Sequence, residues 1–243
     1  MKDADWIFGY HAVLGALGSS RPIEAVWLQK GRRDQRLQRL LEAARDRGVA
    51  TRWVPKQRLD EMAGSTPHNG CAARGGPVSF VRLDEIIAPE GSPGRVLLLD
   101  DVIDPHNLGA VIRTAAAFAV DGLVIAGPSA PPLGGAVAKA AAGLLGRVPL
   151  VRTNVAADAV RVLQESGYWA LGADARGEPL ASSTPTDRWV LCIGAEERGL
   201  RAKTRSQLDE LLSIPMAEAV ESLNVSVAAG VLLYHLCELW RGN

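Results

Sequence analysis

Three short segments of this chain place polar side chains where an apolar run turns through glycine or proline. They are DPHNLGAVIRTAAA from Asp104 to Ala117, LCIGAEERGL from Leu191 to Leu200, and IPMAEAVESLNVSVAAGVLL from Ile214 to Leu233. In the third, Ser222, Leu223 and Asn224 stand between a strand end and an apolar helix, and a buried helix start of that composition has spare hydrogen-bonding capacity for a ligand. Each residue also has an ordinary structural explanation. Asn107 and Ser222 suit helix caps, Arg113 a surface ion pair and Glu196 a solvated carboxylate. The three turns together suggest one composite site.

Other chemistries are poorly served. No GxGxxG follows a strand, and GAEERG at Gly194–Gly199 has the glycine spacing of a P-loop but continues with Leu200 instead of lysine, which argues against a P-loop nucleotidase. His11, His68, His106 and His235 are scattered without ligand spacing, so no metal is expected. Cys71, Cys192 and Cys237 are odd in number and far apart, which speaks against a disulfide framework and for a reducing, cytoplasmic setting. No run approaches a membrane span and the N-terminus lacks a signal pattern, so a soluble protein is expected.

The elements that must position the turns follow from periodicity. The chain has 243 residues, 47% of them hydrophobic, and a net charge of zero, enough for one large domain or two small ones. Residues 1–80 read as a small α/β unit, with helices at Tyr10–Leu17, about Asp34–Arg47 and Lys56–Met62, and strands at Ala25–Gln29, Thr51–Val54 and Cys71–Ala73. Gly- and Pro-punctuated residues 81–94, with one short amphipathic piece at Leu83–Ile87, read as a linker. From 95 to 243, short apolar strands alternate with helices, including an Ala-rich helix near Ala136–Leu145 and a long final helix. That pattern predicts a mostly parallel sheet covered on both faces, with ligands at the carboxyl ends of its strands. Between Lys30 and Arg58 ten basic residues face three acidic ones. The excess fits either a solvated helix face or an RNA-phosphate surface around Arg32, Arg33 and Arg36.

Taken together, DPHNLGAVIRTA, CIGAEERGL and IPMAEAVESLNVSVAAGVLLY resemble, in order and separation, the three motifs of the SpoU/TrmH family of SPOUT RNA methyltransferases. IFGYHAV and the HNG at His68–Gly70 resemble that family's small L30e-like substrate-binding domain, so the resemblance covers nearly the whole chain. It implies an α/β fold with a trefoil-knotted C-terminal segment and a homodimer. It also implies methyl transfer from S-adenosylmethionine, without a metal, to a ribose 2'-hydroxyl of RNA, most closely a guanosine of large-subunit rRNA. Carried onto this sequence, the donor falls at Gly194, Ile214, Met216 and Leu223. Arg113 falls to activating the hydroxyl, Asn107, Ser222 and Asn224 to orienting the ribose, and Glu196 to organising the site. Arg32, Arg33, Arg36, His68 and Asn69 fall to RNA binding.

Glu197 and Glu218 stand where the family commonly has glycine, and HNG replaces HQG. A glutamate resists a left-handed backbone, so both positions put donor binding in question. A tRNA substrate, a ribosomal drug-site methyltransferase and a non-catalytic RNA-binding factor on the same fold remain the alternatives.

Overall fold

The computed structural model describes residues 5–19, 21–32, 34–183, 186–217, 220 and 222–241. Arg33 and Glu218, both named above, lie outside the described residues. The chain forms two compact units, one gathering the residues up to 79 with Leu133–Arg147, the other Phe80–Pro132 with the residues from Val148 onward.

The first unit holds strands β1 (Asp5–Phe8), β2 (Ile23–Gln29), β3 (Ala50–Val54) and β4 (Cys71–Gly75) in the order β1-β4-β2-β3. Its helices are α1 (Tyr10–Leu17), α2 (Gln35–Asp46) and α3 (Lys56–Ala63). Helix α2 exists because Leu37, Leu40 and Ala44 recur at helical spacing and are buried, while Asp34 caps it by accepting from the Leu37 N–H at 2.9 Å. Those residues pack with Val13 and Leu17 of α1 onto Ile7, Val26 and Leu28 of the sheet. Strand β1 is an addition to the expectation; at four residues it is too short to show a period.

The second unit is built on six parallel strands: β5 (Gly94–Asp100), β6 (Gly122–Ala126), β7 (Leu150–Thr153), β8 (Trp169–Pro179), β9 (Arg188–Gly194) and β10 (Glu210–Ser213). Their order is β10-β8-β9-β5-β6-β7, every neighbour parallel. The helices are α4 (Pro105–Ala117), α5 (Gly135–Ala140), α6 (Ala156–Glu165), α7 (Ala202–Arg205) and α8 (Val225–Arg241), of which α5 belongs to the first unit. Val96, Leu98, Val124, Val190 and Cys192 form the core under α6, where Val160 and Leu163 close it.

One expectation is corrected here. The Ala-rich helix ends at Ala140 because Ala142, Gly143 and Gly146 take left-handed backbone conformations. The amphipathic piece at Leu83–Ile87 forms a 3-10 turn over Leu83–Ile86, with Ile86 buried in the second unit's core.

Candidate active site

The strand order reverses at β5, with β6 and β7 on one side and β9, β8 and β10 on the other. In an open parallel sheet the crevice beyond such a switch point is where ligands bind. Asp100 and Gly194, the last residues of β5 and β9, are in direct register, so the loops after both strands leave the sheet side by side. The first polar segment follows β5, the second follows β9 and the third follows β10.

The three segments meet through side chains. Asn224 donates from Nδ2 to Asn107 Oδ1 at 2.9 Å, and both amides point their Nδ2 at Glu196 Oε2, each at 3.4 Å. Asn224 also caps α8, its Oδ1 accepting from the Ser226 N–H at 2.9 Å and from Ser226 Oγ at 2.6 Å. Helix α4 is capped by Asp104, which accepts from the Asn107 N–H at 2.8 Å, with Pro105 in the first turn. The capping roles considered for Asn107 and Ser222 therefore belong to Asp104 and Asn224, and the Asn107 side chain is left free to reach across to Asn224.

A cavity of about 370 Å³ opens beside this cluster, and Gly194, Ile214, Met216 and Leu223 all line it, as do Glu196 and Ser222. Leu212 and Leu232 add apolar wall, and Asp174 and Arg176 add charge. Burial alone would raise the Asp174 carboxyl; the Arg176 N–H and the Arg205 and Arg176 guanidinium groups outweigh it and hold Asp174 below its ordinary value. A second cavity of about 590 Å³ shares the Ala195–Arg198 wall and Val225 and is also lined by Asp101, Asp104, Asn107 and Ser129. Glu196 thus stands between the two spaces.

Gly194 has a different physical reason from the one its position suggested. A β-carbon there would overlap the Gly199 carbonyl and the Leu200 nitrogen, so the glycine lets the 195–199 loop fold back on itself, closed by the Gly199 N–H donating to Ala195 O at 2.8 Å. Glu197 is exposed and is not among the residues with positive φ, so its side chain imposes no left-handed strain on that loop.

Sequence reasoning missed Asp100 and Arg201. Asp100 is fully buried and accepts from the Arg201 N–H at 3.2 Å and from Arg201 Nε at 2.6 Å, pinning the far end of the same loop to β5. The signal was present, a carboxylate closing the apolar run RVLLLD and an arginine directly after the second motif.

Arg113 is exposed and is not drawn into the cluster. It lies six residues beyond Asn107 on α4, so it leaves the helix about 120° around and about 9 Å along from it. In the first unit, Arg32 pairs with Asp34 at 2.6 Å and also lies against the HNG turn, 3.0 Å from where a β-carbon on Gly70 would stand. Within that turn His68 accepts from the Gly70 N–H at 3.0 Å and meets Asp60 at 2.8 Å, and Asn69 is exposed at φ 49°. Arg36 lies over the Tyr10 ring at 5.7 Å.

Residues 94–234 match the SpoU rRNA Methylase family, and residues 6–80 match the family described as RNA 2'-O ribose methyltransferase substrate binding. The chain belongs to the SpoU rRNA methylase family. The expectation drawn from the three motifs holds, and with it the enzyme class, an S-adenosylmethionine-dependent RNA 2'-O-methyltransferase. The chain is similar to the 23S rRNA (guanosine-2'-O-)-methyltransferase RlmB of Shewanella oneidensis, 40% identical over 240 residues that cover 96% of this chain and 97% of that protein. It is 38% identical to the enzyme of that name from Escherichia coli strain K12, over 95% of this chain and 97% of that one. Among solved structures it is similar to the SpoU methyltransferase AviRb of Streptomyces viridochromogenes in complex with AdoMet. That likeness has a TM-score of 0.76 and 25% identity and covers 98% of this chain and 91% of that one. Among the described residues no helix is long and apolar enough to cross a membrane, and no group of His, Cys, Asp and Glu is placed to hold a metal ion.

Proposed function

We propose that this protein methylates the ribose 2'-hydroxyl of a guanosine in large-subunit rRNA, in the cytoplasm and as a homodimer. The observation that carries the reading is the convergence of Asn107, Glu196 and Asn224, one from each polar segment, beside a cavity at the sheet's switch point. The names of the relatives at 38–40% identity support the rRNA guanosine.

The cavity residues fit S-adenosylmethionine. Its volume is in the range of small-molecule pockets, its apolar wall of Leu212, Ile214, Leu223 and Leu232 suits an adenine, and Ser222 and Glu196 bring polar groups to one side. When bound, the donor supplies a methyl group already activated by its sulfonium. The protein's part is alignment and exclusion of water. Glu196 holds the Nδ2 groups of Asn107 and Asn224, which fixes both amides against rotation. Asn107, Asn224 and Ser222 orient the ribose in the adjoining space. Arg113, always protonated, holds the substrate phosphate and stabilises the developing alkoxide. Arg32, Arg33, Arg36, His68 and Asn69 contact the RNA elsewhere on the substrate-binding unit.

Two further features belong to the same reading. Ile214 directly follows edge strand β10 while Asn224 bonds Asn107 beyond β5, a placement that supports the trefoil knot implied by the family. On α8, Val227, Val231 and Tyr234 are exposed at spacing i, i+4 and i+7, an apolar stripe that supports dimerisation there.

The test is transfer of labelled methyl to unmodified transcripts of large-subunit rRNA and of tRNA, with the product nucleotide mapped. Label on one rRNA guanosine ribose is the expected result; label on tRNA alone, or on neither, overturns the substrate assignment. Arg113→Ala is expected to abolish transfer while donor affinity by calorimetry stays within a few fold, and turnover near the parent rate would remove its role. Sedimentation of Val231→Asp as a monomer is the expected outcome for the dimer; a parent protein that is itself monomeric would refute it.

A further inference from the structure

The sheet of the first unit presents two unlike faces. Ile7, Val26, Leu28, Cys71 and Ala73 alternate onto the face packed with α1 and α2. By the two-residue period of a strand, the opposite face carries Trp6, Phe8, Ala72, Trp27 and Arg52. Their registers are direct, with Phe8 opposite Ala72, Ala72 opposite Trp27, and Trp27 opposite Arg52.

Ala72 is too small to separate the aromatic side chains flanking it. The Trp6 and Trp27 rings meet edge to face at 4.7 Å, Phe8 stacks on Trp6 at 6.1 Å, and the Arg52 guanidinium lies 5.6 Å over Trp27. Trp6 keeps 38% of its surface and Arg52 is exposed, while Phe8 and Trp27 are partly buried. At its β1 end Trp6 and Phe8 wall a cavity of about 270 Å³ that also touches Thr66 and the exposed Lys139. Neither Arg52 nor Lys139 has an ion-pair partner among the described residues. The core built with α1 and α2 lies on the other face and does not require this arrangement, although Leu59, Ala63 and Ala72 are buried outside that core.

We propose that this face is a stacking platform for unpaired RNA bases, with Trp6, Phe8 and Trp27 receiving base faces and Arg52 and Lys139 the phosphates on either side. The proposal rests on the RNA reading above and adds the surface used and the strand state it selects. Aromatic faces flanked by unpaired cations are what a single strand needs, since its bases are free to stack while each phosphate carries one negative charge. A duplex keeps its base faces buried in its own stack and cannot use the rings. An apolar protein partner would strand both cations without counter-charge.

The test uses the full chain and fluorescence anisotropy with a labelled single-stranded oligouridine of about 12 nucleotides and a hairpin duplex of similar length. Trp6→Ala is expected to weaken binding of the single strand by roughly 5- to 100-fold, the loss of about one stacked base, and duplex binding by less than about twofold. Trp6→Phe is expected to recover most of the loss, and Arg52→Ala, which leaves the rings in place, to reduce the salt dependence of single-strand binding. Thermal unfolding of each variant checks that the first unit is folded, and calorimetric donor binding that the second is. Unchanged single-strand affinity in Trp6→Ala with donor binding intact overturns the proposal, as does equal loss on single strand and duplex. A change of molar mass in Trp6→Ala with RNA affinity unaltered also overturns it, because the face would then be a protein interface. Failure of the parent protein to methylate rRNA refutes the proposed activity and leaves this binding comparison readable.

Discussion

Arg201→Ala tests whether the loop shared by the two cavities is held by a buried ion pair. Asp100 has no exposed surface, whereas the Arg201 side chain is 38% exposed, and the two are joined through Nε at 2.6 Å and through the Arg201 backbone N–H at 3.2 Å. Removing one partner of a fully buried pair costs about 3–5 kcal/mol, because the other charge is left without compensation. Arg201 is partly hydrated and the backbone donor survives its truncation, so about 2–3 kcal/mol is the expected loss. For a chain of this length that is a fall in melting temperature of about 4–12 °C, read on the transition of the second unit. Donor affinity should drop about tenfold or more, since the residues from Ala195 to Arg198 line both cavities and lose their anchor at one end. Asp100→Leu with Arg201→Met removes both charges together and should cost less than the sum of the two single changes, a coupling measurable as a double-mutant cycle by urea unfolding. Additive losses in the cycle, or an Arg201→Ala protein that melts within about 1 °C of the parent, would refute the reasoning.

Gly194→Ala should abolish measurable donor binding by calorimetry, since its β-carbon would overlap backbone atoms of Gly199 and Leu200 that no rotamer change can move. Asn224→Asp keeps a good helix cap but replaces the amide donor to Asn107 with a second carboxylate near Glu196; stability within about 1 kcal/mol of the parent and a methyl-transfer rate lower by at least about tenfold are expected, and an unchanged rate would disconnect the cluster from chemistry. Burial pushes the Cys71 thiol from its ordinary 9.0 up to about 12, so the folded state resists ionisation that the unfolded state permits. Its contribution to stability is complete below about pH 9 and is lost as pH rises from there toward 12, by at most about 1.4 kcal/mol per pH unit, and the parent should lose that much more than Cys71→Ala in alkaline urea unfolding.

Much of this arrangement is written in local pattern. Apolar runs such as RVLLLD and GLVIA have one stable place, the middle of a covered parallel sheet, and α2 follows from Leu37, Leu40 and Ala44. The grouping of Gly194, Ile214, Met216 and Leu223 around one cavity was legible because three segments share a motif order; no single residue among them announces itself. What was not legible depends on distance in sequence. The Asp100–Arg201 pair spans 101 residues, and the choice of Asp104 and Asn224 as caps is decided by where each backbone turns. The short β1 strand becomes visible only through its pairing with β4.

The same dependence explains why the candidate site is small in residues yet demanding in fold. Asn224 serves α8 through its oxygen and the cluster through its nitrogen, so the register of the last helix and the orientation of the site amide are set by one side chain. Glu196 reaches that amide only because Gly194 allows the loop to fold back and Arg201 holds its far end. Each contact fixes a degree of freedom that another contact needs, which makes the pocket pre-organised without any dense polar core beneath it. Arg113 stands outside this network, exposed on α4, and is therefore the one proposed catalytic group whose substitution should alter chemistry while leaving the pocket's geometry in place.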